Sequence, residues 1–146
     1  MVVVAVSWTQ AARELVDRVG VGMDAVWSLV YAAQSGVLHL ALVEALDKDL
    51  SLTSAGMDLA DALGELEWVR PELAANSLAL DLGPARRDAV NECRSAVAGL
   101  MTAALEVAAG LLDGQGEELA TAEVLALGRV VHRVGSASTR VSGRLV

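Results

Sequence analysis

Residues 25–43 form a run of nineteen residues without Asp, Glu, Lys or Arg, and this run constrains the fold more than any other feature. Its length reaches the threshold for a membrane-spanning helix. The run includes hydrogen-bonding side chains such as Gln34 and His39, however, and Asp24 and Glu44 flank it instead of basic clusters. A helix that is apolar all round is usually the one its neighbours surround. The run therefore predicts a central core helix over about residues 24–48. A membrane span and an oligomer interface are the alternatives.

Apolar residues recur three and four positions apart in four further segments, and glycine or proline turns separate them. These segments are about 9–19, 51–70, 84–112 and a last one from residue 117. Ser7 or Thr9 can cap the first, and Pro71 opens a short continuation of the second. The sequence thus predicts an all-α fold, an antiparallel helix bundle of about five helices around the central helix. It predicts one domain over 1–146, with an apolar leader (1–6) and a basic tail (136–146) that can be flexible.

Periodic positions also predict which side of each helix faces the core. In the segment 51–70, the predicted inner face consists of Met57, Ala60, Leu63 (or Leu59), Leu66 and Val69. In the segment 84–112, a heptad-like seam runs through Val90, Cys93, Val97, Leu100, Ala104, Val107 and Leu111. Aromatic side chains are few, so the large packing pieces are expected to be Trp8, Trp27, Trp68 and Tyr31.

Composition limits the expected cellular compartment, the type of source genome and the classes of binding partner. A net charge of −8 argues against nonspecific nucleic-acid binding by the whole domain. The single cysteine, Cys93, cannot form an internal disulfide and fits a cytoplasmic protein. The first six residues lack the basic region of an export signal. The absence of Phe and Ile, with one Lys beside ten Arg, indicates a GC-rich, actinobacterial-like genome.

No motif for a metal, a cofactor or a reaction is complete. Di-iron bundles carry Glu three residues before His, whereas Gly36 precedes His39 and Arg129 precedes His132 at that spacing. The glycine-containing turn at 110–116 lacks the Lys and the Ser or Thr of a phosphate-binding loop. We therefore predict no metal and no cofactor, and the sequence favours a protein that is not an enzyme.

One stripe of polar and aromatic side chains lies along the predicted central helix. Its members are spaced four residues apart and are Trp27, Tyr31, Ser35 and His39. Gln34 lies beside this stripe. Apolar walls with a few convergent polar groups are typical of a small-molecule pocket, in which His39 would be a weak candidate for a general base. The alternative is that these groups satisfy one another or the backbone within the core.

Charge is distributed unevenly along the chain. Residues 44–81 contain nine acids and two bases, a net charge of −7, and Asp58, Asp61 and Glu65 share one helical face that we expect to be solvated. Residues 129–146 contain four bases and no acid, a net charge of +4. These four are Arg129, Arg133, Arg140 and Arg144, which fall on one helical face. This basic face is expected to dock on the acidic segment of its own chain or of a second copy. The alternatives are that it binds an acidic protein partner, a membrane surface or nucleic acid, or that it is a frayed, solvated tail.

Two functions follow as hypotheses. The first is a non-enzymatic helical-bundle protein that acts through association, as a homodimer or with an acidic protein partner. The second is a protein, or a helical biosynthetic enzyme, that binds a small apolar molecule in an interior pocket around Tyr31 and His39. A nucleic-acid partner is not predicted, and membrane association is disfavoured.

Overall fold

The computed structural model describes residues 7–43 and 51–142, and every regular element in these two stretches is helical, as predicted. The elements are α1 (Trp8–Arg18), α2 (Met23–Val43), α3 (Ser51–Val69), the single turn α4 (Leu73–Asn76), α5 (Val90–Leu112) and α6 (Thr121–Ser142), with a 3-10 turn at Arg87–Ala89. The predicted leader (1–6), the predicted end of the central helix (44–48) and residues 143–146 of the tail, with Arg144, lie outside the described residues. Residues 136–142 belong to α6, where Ala137 and Val141 are buried.

Side-chain caps mark where two of the helices begin. Ser7 caps α1, because its Oγ accepts a hydrogen bond of 3.1 Å from the Gln10 N–H. The last helix begins at Thr121 and not at residue 117. Residues 117–120 are not helical, and Glu123 accepts a hydrogen bond of 2.9 Å from the Ala120 N–H, which caps α6 at its observed start.

Two other boundaries also differ from expectation. The long helix begins at Val90 instead of Pro84, because Arg86 is extended (φ −92°, ψ 132°) and only the 3-10 turn bridges the gap. The continuation after Pro71 is helical only over α4, and Ser77 is again extended (φ −104°, ψ 159°). Residues 77–86 therefore form a connector without helical structure.

The uncharged run forms α2, which contacts α1, α3, α4 and α5. All residues from Ala25 to Val30 are buried, so this part of the helix is enclosed on every side. Further along, Leu38 and Leu42 are 52% and 79% exposed. Two helices, Met23–Val43 and Arg87–Leu112, are long and apolar enough to cross a membrane by length and composition, but a buried core helix passes the same test.

Helix α3 turns a different face to the core from the one its apolar pattern predicts. Its buried residues are Leu52, Ala55, Gly56, Leu59, Ala62, Leu63 and Leu66. Met57 is 65% exposed and Ala60 is also exposed, so the prediction that both lie inside is wrong. The reason is that α3 carries apolar residues on two faces, and the leucines at 52, 59 and 66 bury more apolar area than Met57 and Ala60 would.

A series of ion pairs joins α3 to α6, and these two helices form the most extensive helix pair. Glu65 lies 2.7 Å from Arg129, Asp61 lies 3.2 Å from Arg133, and Asp58 lies 3.4 Å from Arg140. Residue numbers rise along α3 while they fall along α6, so the two helices run antiparallel.

Glycine contacts show how closely α2 approaches its neighbours. A Cβ on Gly36 would lie 2.5 Å from Val97 Cγ2, so glycine is required where α2 crosses α5. Near the other end of the α2–α5 pair, Gly116 in the loop after α5 lies against Val21, just before α2. On the other side of α2, Gly56 near the start of α3 lies against Val37.

Arg70 ties the end of α3 to the beginning of α6. Its Nε donates a hydrogen bond of 2.8 Å to Glu123, and its Nη1 donates to Glu117 in the loop before α6. The Arg70 and Glu123 side chains are only 20% and 14% exposed. The hydrogen bond from the Ala120 N–H, together with Arg70, holds the pKa of Glu123 below its ordinary value, so the Glu123 carboxylate is charged at neutral pH.

We expect Arg70→Ala to lower the free energy of unfolding by about 2 to 3 kcal/mol, because it leaves two partly buried carboxylates without their common donor. Urea unfolding followed by circular dichroism measures this. Arg86→Ala is the matched control. Arg86 pairs with Asp88 where both side chains are more than two-thirds exposed, so its loss should cost no more than about 0.5 kcal/mol. Equal losses in the two variants would contradict the role given to Arg70.

Candidate functional site

Two side chains of the polar stripe on α2 converge on one carboxylate from the connector. Ser35 Oγ donates a hydrogen bond of 2.9 Å to Asp81 Oδ1, and His39 Nε2 lies 3.0 Å from the same oxygen. The backbone N–H of Leu82 in turn donates to Ser35 Oγ at 3.3 Å. Ser35 and His39 thus hold the connector against the C-terminal half of α2.

Asp81 is the residue of this cluster that the sequence pattern does not single out. Its Oδ1 also accepts a hydrogen bond of 2.8 Å from the Gly83 N–H, and Gly83 has the left-handed φ of 78° that brings this N–H back to the carboxylate. The Gly83 N–H, then Ser35 and His39, hold the pKa of Asp81 below its ordinary value. An Asp two residues before a Gly is the local signal that could have identified it.

Trp27 does not join this cluster. It is 3% exposed, stacks on Tyr31 with ring centroids 5.0 Å apart, and donates its indole N–H to Glu67 at 3.3 Å. The indole therefore packs between α2 and α3 in the core. Of the five predicted ligand-binding residues, Trp27 contacts Tyr31 but does not line the groove that the other four share.

The remaining residues line an open groove of about 220 Å³ on the surface of α2. Its lining consists of Tyr31, Gln34, Ser35, Leu38, His39, Leu42 and Asp81. A nucleophile and its base must be hydrogen-bonded to each other, whereas the Ser35 hydroxyl and the His39 ring both face the Asp81 carboxylate. Ser35 and His39 therefore do not form a nucleophile–base pair, and their bonds to Asp81 serve to position the connector.

Three of the four arginines predicted to bind a partner make ion pairs within the chain. Arg129, Arg133 and Arg140 lie against the acids of α3, as the hypothesis of docking on the chain's own acidic segment expects. The side chains remain partly accessible, with Arg129 51% and Arg133 35% exposed.

A second groove lies on the outer side of the α3–α6 pair. It is lined by Ala60, Asp61, Gly64, Glu65, Trp68, Arg129 and Arg133. Trp68 is 84% exposed, so the prediction that it is a core packing piece is wrong. Once the leucines of α3 face inward, Trp68 must face outward. Its position two residues after Leu66 is the signal that could have indicated this.

A metal site and a reactive cysteine have less support than these two grooves. Within the described residues, no group of three or more His, Cys, Asp or Glu side chains lies close enough together to hold a metal ion. Cys93 is buried in the interior, and burial raises the pKa of its thiol, which disfavours the reactive thiolate.

Comparison with protein-family models, with curated proteins and with solved structures found no match for this chain.

We expect Asp81→Ala to release the connector, because the variant removes the acceptor shared by Ser35, His39 and Gly83. Amide hydrogen exchange at Leu82 and Gly83 should become about tenfold faster, while α2 stays protected. Asp88→Ala is the matched control, since the Asp88 side chain is 68% exposed and that of Asp81 67%. Unchanged exchange in Asp81→Ala, or the same change in both variants, would show that the cluster does not hold the connector.

Proposed function

We propose that this protein is a non-enzymatic helical bundle, antiparallel around α2, that acts by associating with a second copy of itself. Ser35 and His39 of its polar stripe are engaged by its own Asp81, and three arginines of its basic face are engaged by its own α3. Large apolar side chains are instead presented outside, among them Trp68, Met57 and Leu125, which is 59% exposed.

The exposed Trp68 is the observation that carries this proposal. An indole is the side chain that stable interfaces most often bury at their centre. Burying about 200 Å² of it yields roughly 5 kcal/mol at about 25 cal/mol per Å². Association costs about 4 to 15 kcal/mol in lost translation and rotation, so one indole from each copy supplies a gain of the same order as this cost.

The groove on α2 supports a second candidate function, the binding of a small apolar molecule. Leu38 and Leu42 provide exposed apolar walls beside the Ser35 hydroxyl and the His39 ring. The groove is open along its length, and known ligand sites enclose most of the ligand's surface. Self-association is therefore the better supported function.

Sedimentation equilibrium of the wild-type protein tests the proposal. From about 1 to about 200 µM, a concentration range that detects dissociation constants near 10 µM, the average mass should rise from 15.1 kDa towards twice that value. Because Trp8 and Trp27 are buried, quenching by acrylamide reports mainly on Trp68 and should decrease over the same range. A mass of 15.1 kDa throughout, with constant quenching, would contradict self-association.

A further inference from the structure

The outer face of α3 combines two bulky exposed side chains with small residues between them. Met57, Ala60, Gly64 and Trp68 are three or four residues apart and so lie on one side of the helix. Met57 and Trp68 project into solvent, and Ala60 and Gly64 leave a hollow between them. The face thus carries both a projection and a recess.

The spacing of these residues is symmetric about Gly64. Ala60 lies four residues before Gly64, and Trp68 lies four residues after it. We propose that α3 of one copy packs antiparallel on α3 of another, with the two helices crossing at Gly64 and Trp68 of each copy seated over Ala60 of the other. This interface rests on the proposed self-association and names its surface. Such a contact is isologous, since projection and recess belong to the same patch.

The charges around the recess favour both the binding of an indole and contact with a second copy of the chain. Arg129 and Arg133 line it together with Glu65 and Asp61, so two bases balance two acids. A guanidinium beside a recess attracts the face of an indole. Because the whole chain carries a net charge of −8, two copies repel each other in general, and the balanced charges of this face lower that repulsion where it forms the contact.

The contact must extend beyond the crossing point. A stable interface usually buries about 800 Å² on each partner, and one turn of helix on either side of Gly64 supplies only part of that area. Met57 continues the face along α3. Leu125, one turn before Arg129 on the antiparallel α6, lies at the level of Trp68 and continues it sideways.

Gly64→Leu tests the interface without removing any contact within the chain. A Cβ at Gly64 meets nothing within 4 Å, and Leu is a better helix former than Gly, so the folded monomer should be at least as stable. The added side chain blocks the close approach of two α3 helices. We expect the dissociation constant from sedimentation equilibrium to rise at least about tenfold. Trp68→Ala should have an effect of the same size, because it removes the projection.

Gly99→Leu is the matched control. Gly99 is an exposed glycine within α5, where an added Cβ also meets nothing within 4 Å, and α5 packs on α1, α2 and α6. This variant should dimerise like the wild type. Urea unfolding of all three variants verifies that each is folded.

The outcomes separate this inference from the proposed function. Dimerisation of the wild type and of Gly99→Leu, lost in Gly64→Leu and Trp68→Ala, supports the interface. If the wild type and Gly64→Leu dimerise equally well, self-association stands and this surface is excluded. If the wild type is monomeric at about 200 µM, well above typical dissociation constants of stable dimers, both are overturned.

Discussion

The ion pairs between α3 and α6 are the interaction on which the rest of the structure depends. Arg70 binds Glu123 at one end of this helix pair, and the acids of α3 follow the arginines of α6 along it. An exposed ion pair alone contributes little, but Arg70 is largely buried and bonded to two carboxylates. With α6 held on one side of α3 and α2 on the other, a third side of α3 faces outward. That side carries Gly64 and Trp68.

The amino-acid pattern predicts the helices well because the signals that start and stop them are local. The Ser7 cap, the turn glycines and the uncharged run behind α2 act through neighbouring residues. The start of α5 could not be predicted, since Pro84 is compatible with a helix but the extended Arg86 prevents one. The inner face of α3 could not be predicted either. Both of its faces are apolar, and only their packing shows that the face with the leucines at 52, 59 and 66 is the buried one.

The polar stripe of α2 is likewise predicted by the sequence in part only. Its spacing predicts correctly that Tyr31, Gln34, Ser35 and His39 share one side of the helix, since all four line one groove. It cannot show which residue bonds Ser35 and His39, because Asp81 is more than forty positions away in sequence. Gly36 lies beside both Val97 of α5 and Leu82 of the connector, so the connector meets α2 where α2 crosses α5.

Covalent cross-linking of Gly64→Cys tests the central claim most directly, since residue 64 of each copy would lie beside the two-fold axis. A disulfide requires Cα atoms within about 7 Å, which only the crossing point of two α3 helices provides. The native Cys93 is buried, so the wild type serves as the blank. We predict that mild oxidation converts Gly64→Cys into a covalent dimer much faster than Gly99→Cys. Equal rates for the two variants would contradict the account.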